Sequence, residues 1–162
     1  MKKFLPILIA AVIMLSSCSY VSPSNNTDVQ NLAKTFIDKL YTVDATSLNE
    51  NKTFNENNAE QIYGKFKDYM TDEGFSELVN NRTGYQNIVD AEKTNSTKSV
   101  SKISFGKGEG GKDAYQMYYN ASVVSTCEDT NKKTSGVSSG IINFMSQGGK
   151  WKVKSIKITS KM

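Results

Sequence analysis

Histidine is absent from this 162-residue chain, arginine occurs once, at Arg82, and the only cysteines are Cys18 and Cys127. Without histidine the chain lacks the commonest general base near neutral pH, the usual serine and cysteine triads, and the most frequent zinc ligand. A formal net charge of +4 and a single arginine are far from the strongly basic balance of a nucleic-acid binder, so no nucleic-acid partner is expected. Glu109, Asp113, Glu128 and Asp129 lack the calcium-loop spacing. Nowhere does an apolar run reach the roughly 20 residues needed to span a bilayer.

What is present begins at the N-terminus. Lys2 and Lys3 precede an apolar stretch from Phe4 to Leu15, interrupted only by Pro6. A basic start followed by an apolar run of about 7 to 15 residues reads as a targeting segment, not as fold. Leu15-Ser16-Ser17-Cys18 closes it, and these four residues resemble the lipobox of bacterial lipoproteins at every position. The resemblance implies cleavage between Ser17 and Cys18, a diacylglyceryl group on the Cys18 thiol, and a mature chain held at the outer face of the cell membrane, or at the outer membrane of a Gram-negative host. The bilayer would then be a partner through acylated Cys18, because two acyl chains give stable anchoring where one does not. An ordinary secretory signal with a cysteine near its cleavage site, or an uncleaved anchor, is the alternative.

With Cys18 alkylated, Cys127 has no partner for a disulfide and cannot make a metal site alone, so the domain must hold together by its core. Cys127 itself is expected to be a small, partly buried core residue. The organisation expected is a signal peptide over residues 1–17, a lipidated cysteine and tether over 18–27, and a single domain over 28–162. Ser19 to Thr27 is polar and turn-prone, and nine extended residues reach at most about 30 Å. Charge is segregated along the domain: acids are frequent between Asp28 and Glu77, whereas beyond Asp129 there are lysines and no acid. That split fits solvated faces of two packed layers, or a basic surface near anionic lipid heads or an acidic wall polymer.

Val29, Leu32, Ala33, Phe36, Ile37, Leu40 and Tyr41 follow the i, i+3, i+4, i+7 template, with Thr27 and Gln30 as a capping box. A second helix is expected over residues 58–70, weakened at Gly64, and a short third one starts at Thr71-Asp72-Glu73 and exits near Gly84. No stretch between Asn49 and Glu56 reads as a strand. After Arg82 the pattern becomes alternating, with strands expected over residues 97–105, about a dozen residues from Tyr115, 137–145 and 151–159. In the last, Trp151 and Val153 have one parity and Ile156 and Ile158 the other, which requires a bulge near Lys154-Ser155.

The class is therefore α+β, with N-terminal helices on a curved, cone-like antiparallel sheet of four or more strands. Helices followed by a meander that closes on Gly149-Lys150-Trp151-Lys152-Val153 resemble the nuclear-transport-factor-two-like superfamily; a cystatin-like arrangement is the alternative. From that fold, Phe36, Met117, Tyr119 and Trp151 are expected to line a pocket at the wide end of the cone. Enzymes of the superfamily use an aspartate, with or without histidine, inside the cone. Here only a carboxylate such as Asp68, Asp90 or Asp113 could serve. No cofactor or metal is implied. The functional expectation is a non-catalytic accessory module of an envelope process with an envelope protein partner. A small-ligand pocket protein, with or without a simple carboxylate-based isomerase or hydrolase activity, is the second reading.

Overall fold

The computed structural model describes residues 26–46 and 58–160. The lipobox, with Ser17 and Cys18, most of the tether, and residues 49–56 lie outside them. Helix α1 (Asn26–Tyr41) is followed by α2 (Ala59–Tyr63), a 3₁₀ helix (Gly64–Tyr69), α3 (Asp72–Asn80) and α4 (Tyr85–Lys93). The strands are β1 (Ser96–Phe105), the two-residue β2 (Glu109–Gly110), β3 (Ala114–Cys127), β4 (Lys133–Gln147) and β5 (Lys150–Ser160). They form one five-stranded sheet in the order β1-β3-β4-β5, with β2 beside β3 and every strand pair antiparallel. The α+β expectation holds.

Side-chain parity explains how the layers meet. Tyr115, Met117, Tyr119, Ala121 and Val123 of β3, Ile142 and Phe144 of β4, and Val153 of β5 all turn to one face and are buried. Against them α1 lays Val29, Ala33, Phe36, Ile37 and Leu40, each at most 4 % exposed. Phe66 of the 3₁₀ helix completes the layer, its ring centroid 5.1 Å from that of Phe36. Each large apolar side chain so buried contributes about 1.5 to 3 kcal/mol, and the described residues contain no disulfide.

The bulge expected near Lys154 is present: Asn143 pairs with Ser155 and Phe144 with Val153, which leaves Lys154 unmatched. It returns Trp151, Val153, Ile156 and Ile158 to a common inner face. Beside it, Thr71 N–H donates to Val153 O at 3.0 Å, so the segment entering α3 covers part of the exposed β5 edge. Thr71 caps α3 as its sequence suggests, its hydroxyl accepting from Gly74 N–H at 3.1 Å.

Three expectations need correction. Thr27 lies inside α1, since the helix includes Asn26, and does not cap it. The second helix is α-helical only to Tyr63 and tightens to 3₁₀ geometry from Gly64, where the missing side chain weakens the α-helix, and the Asn58 side chain makes no capping bond. The chain does not become extended after Arg82. Gly84, with φ of +85°, turns it into α4, whose Ala91 is buried and whose Tyr85 and Ile88 pack on the core. Strands β3 and β4 also run longer than their apolar cores, because serine, threonine and asparagine continue the ladder at their ends.

Candidate functional site

Where α1 ends, its chain crosses to the sheet: Val43 and Lys98 exchange two backbone hydrogen bonds, Val43 N to Lys98 O at 3.0 Å and Lys98 N to Val43 O at 2.8 Å. Next to this junction α4 is held to α1 by Asn87 Nδ2, which donates to Leu40 O at 3.2 Å. Between α4, the end of α1 and the sheet lies a cleft lined by Tyr41, Gly84, Gln86, Asn87, Asp90, Lys98, Ser138 and Ile158. It offers about 50 Å³ to the centres of water-sized molecules, room for a few waters or one small molecule.

Lys98 faces inward. It pairs with Ser125, two residues along β3 from buried Val123, and is only 8 % exposed. Burial holds its ammonium below the usual lysine range, and the Asp90 carboxylate opposes that shift. Among the described residues no acceptor lies within hydrogen-bond or ion-pair distance of the ammonium. Asp90 is fixed by Gln86 Nε2, which donates to its Oδ1 at 2.7 Å.

The opposite wall is a run of hydroxyls. Ser138 Oγ donates to Ser160 O at 2.9 Å, since a carbonyl can only accept. Tyr41 must therefore donate to Ser138 Oγ at 2.8 Å, and Tyr119 to Tyr41 at 2.9 Å. Burial raises both tyrosines above the ordinary phenol value; for Tyr119 the shift is large, and the neighbouring Tyr41 adds to it. Gly140, opposite Tyr119 in the ladder, makes the run possible, because a Cβ there would lie 2.6 Å from the Tyr119 hydroxyl.

Three of the four residues expected to line a pocket are buried in the core. Phe36, Met117 and Tyr119 are 0–1 % exposed in the packed core, and Trp151 is half-buried against it. None of the four lines this cleft or the smaller depressions beside Gly74 and Tyr63. Tyr119 alone reaches its wall, through the Tyr41 hydroxyl. Of the three candidate carboxylates, Asp90 is in the cleft, carried there by the helix that sequence pattern missed. Asp68 and Asp113 are exposed elsewhere, where their backbone carbonyls accept from Lys152 Nζ and Ser146 N–H. Among the described residues no cluster of acids and cysteine could hold a metal ion.

Cys127 ends β3 half-buried, beyond the residues that form the packed core. Its thiol is held below the ordinary value by the Thr130 hydroxyl first, then by the Thr130 and Asp129 backbone. On the outer sheet face the two exposed large apolar side chains are Tyr118 and Val137, at 52 % and 53 %. No helix among the described residues is long and apolar enough to cross a membrane.

No protein-family model and no curated protein matches the chain. Solved structures do. An IcmL-like type IV secretion system protein from Legionella pneumophila subsp. pneumophila is similar at a TM-score of 0.55 and 12 % identity, over 85 % of this chain and 94 % of that one. The periplasmic domain of DotI is similar at 0.54 and 9 % identity, over 84 % and 96 %. An Ntf2-like potential transfer protein, TraM, from the Gram-positive conjugative plasmid pIP501 gives 0.48 and 12 %, over 84 % and 96 %. At these identities the first two likenesses establish a shared fold.

Proposed function

We propose that this chain is a lipid-anchored extracytoplasmic lipoprotein that serves as a non-catalytic accessory module of an envelope machine. The observation that carries the reading is Leu15-Ser16-Ser17-Cys18 directly after a basic start and an apolar run. One feature of the folded domain supports it. The shared fold occurs in the periplasmic domain of DotI and in an IcmL-like secretion protein, both nearly covered end to end by this chain.

The test is metabolic labelling with an alkyne fatty acid, followed by crosslinking in the native membrane and mass spectrometry, with Cys18→Ala as control. Label on the chain that disappears in Cys18→Ala, together with one envelope protein captured only by the labelled form, is the expected result. An unlabelled chain, or one released from the membrane at wild-type Cys18, would overturn the anchor. A labelled chain that captures no envelope protein would overturn the accessory role.

The second reading, a protein that binds a small ligand, is favoured by one observation: the largely buried Lys98 side chain and Asp90 line one cleft.

A further inference from the structure

Lys98 is the one charged side chain among the buried residues of the described structure: its stem is buried in the sheet and its ammonium meets the water of the cleft. Its three N–H groups are unspent. The hydroxyl wall has no proton left to donate to a ligand. Ser138, Tyr41 and Tyr119 each commit their single proton along the run that ends on Ser160 O. What remains for a ligand is Lys98 as the strong donor, the second N–H of Gln86 and of Asn87, and Asp90 as the strong acceptor.

From this arrangement we propose that the cleft binds a small monocarboxylate that also carries a hydrogen-bond donor, such as an α-hydroxy or α-amino acid, with its carboxylate on Lys98 and its donor on Asp90. One cation and one carboxylate in the lining exclude a dianion such as phosphate, whose second charge would meet Asp90 uncompensated. A plain carboxylate satisfies Lys98 and offers no donor to the Asp90 oxygen that Gln86 leaves free. Gln86 orients the Asp90 carboxylate by its bond to Oδ1, leaving the other carboxylate oxygen for the ligand. Room of about 50 Å³ matches a ligand of a few heavy atoms. The proposal stands independently of membrane anchoring.

The experiment is a titration of the full chain, ¹³C-labelled at lysine and held in detergent micelles, with acetate, lactate and inorganic phosphate as separate probes. The Lys98 Cε–Hε signal is assigned by its loss in Lys98→Met. Lactate is expected to move that signal saturably with a Kd on the order of 1 mM, as suits so few atoms. Acetate should bind about tenfold more weakly, the value of a hydrogen bond to a charged acceptor, and phosphate should leave the signal in place. In the isosteric Asp90→Asn the advantage of lactate over acetate should disappear while Lys98 still responds. A Lys98 signal unmoved by lactate, equal responses to all three anions, or a lactate advantage that survives Asp90→Asn would each overturn the proposal.

Discussion

Replacing Tyr41 and Tyr119 by phenylalanine, singly and together, tests the direction assigned to the buried hydroxyl run. Tyr41 is 2 % and Tyr119 1 % exposed, so neither hydroxyl can turn to bulk water. Tyr119 donates only to Tyr41, whereas Tyr41 accepts from Tyr119 and donates to Ser138. In Tyr41→Phe both bonds vanish and the Tyr119 hydroxyl is left buried with no acceptor. One net bond of about 1 kcal/mol plus an orphaned buried group at about 1–3 kcal/mol gives a loss of about 2–4 kcal/mol. Tyr119→Phe removes the terminal donor and leaves the bond from Tyr41 to Ser138 intact, for a loss of about 1 kcal/mol. The double variant has no orphaned tyrosine and should lose about 1–2 kcal/mol, less than the two single losses added together.

Urea unfolding followed through Trp151, the only tryptophan, reads these differences, because its half-buried ring packs on the same core. The ordering expected is Tyr119→Phe milder than Tyr41→Phe, and the double variant no worse than Tyr41→Phe. Equal single losses, or strictly additive ones, would show that the proton run does not point from Tyr119 to Ser160.

Lys98→Met should stabilise the protein slightly at pH 7, by less than about 1 kcal/mol, since an apolar side chain replaces a charge that is only partly desolvated. The sign fixes the pH dependence: the folded-state value lies below the unfolded 10.5, so in that window the unfolded chain binds more protons and wild-type stability rises with pH. The gain of Lys98→Met is thus full below the folded value and shrinks toward pH 10.5; a gain constant with pH, measured by urea unfolding across that range, would contradict it. Gly74→Ala should cost about 1–2 kcal/mol even though alanine favours a helix interior, because its Cβ would lie 2.2 Å from the backbone oxygen of Lys154 in the β5 bulge; unchanged thermal stability would refute that contact. Cys127 should be alkylated by iodoacetamide with a midpoint below the ordinary thiol value of 9.0, and Thr130→Val should move the midpoint up; a midpoint indifferent to that change would remove Thr130 as the cause.

Those parts of the fold in which one residue type repeats at one period were legible in the sequence. Helix α1 shows its apolar face without interruption from Val29 to Tyr41, and the parity change between Val153 and Ile156 located the β5 bulge. Helix α4 was not legible. Tyr85, Ile88 and Val89 are half-buried, only Ala91 is buried, and Gly84 precedes them where a helix stop was equally reasonable. Its partial burial leaves a weak apolar period, and its position is decided by tertiary contacts such as Asn87 to Leu40 O.

The site was hidden by a second bulge. By simple alternation Lys98, Val100 and Lys102 share one face of β1, and Ile103 and Phe105 the other, so Lys98 reads as solvated. In the structure Val100 pairs with Val123 and Lys102 with Ser122, so that Ser101 is inserted between them. Parity changes there, and Lys98 and Val100 join Ile103 and Phe105 on the inner face, while Lys102 turns out to solvent. The same inserted residue therefore places a cation in the cleft that Asp90 of α4 and the hydroxyl run also line. The charged cleft depends on how Ser101 is accommodated: an unbulged strand that kept Ser101 in register would put Lys98 and Val100 on the face opposite Ile103 and Phe105, whereas deletion of Ser101 leaves all four on one face by simple alternation and should keep Lys98 in the cleft.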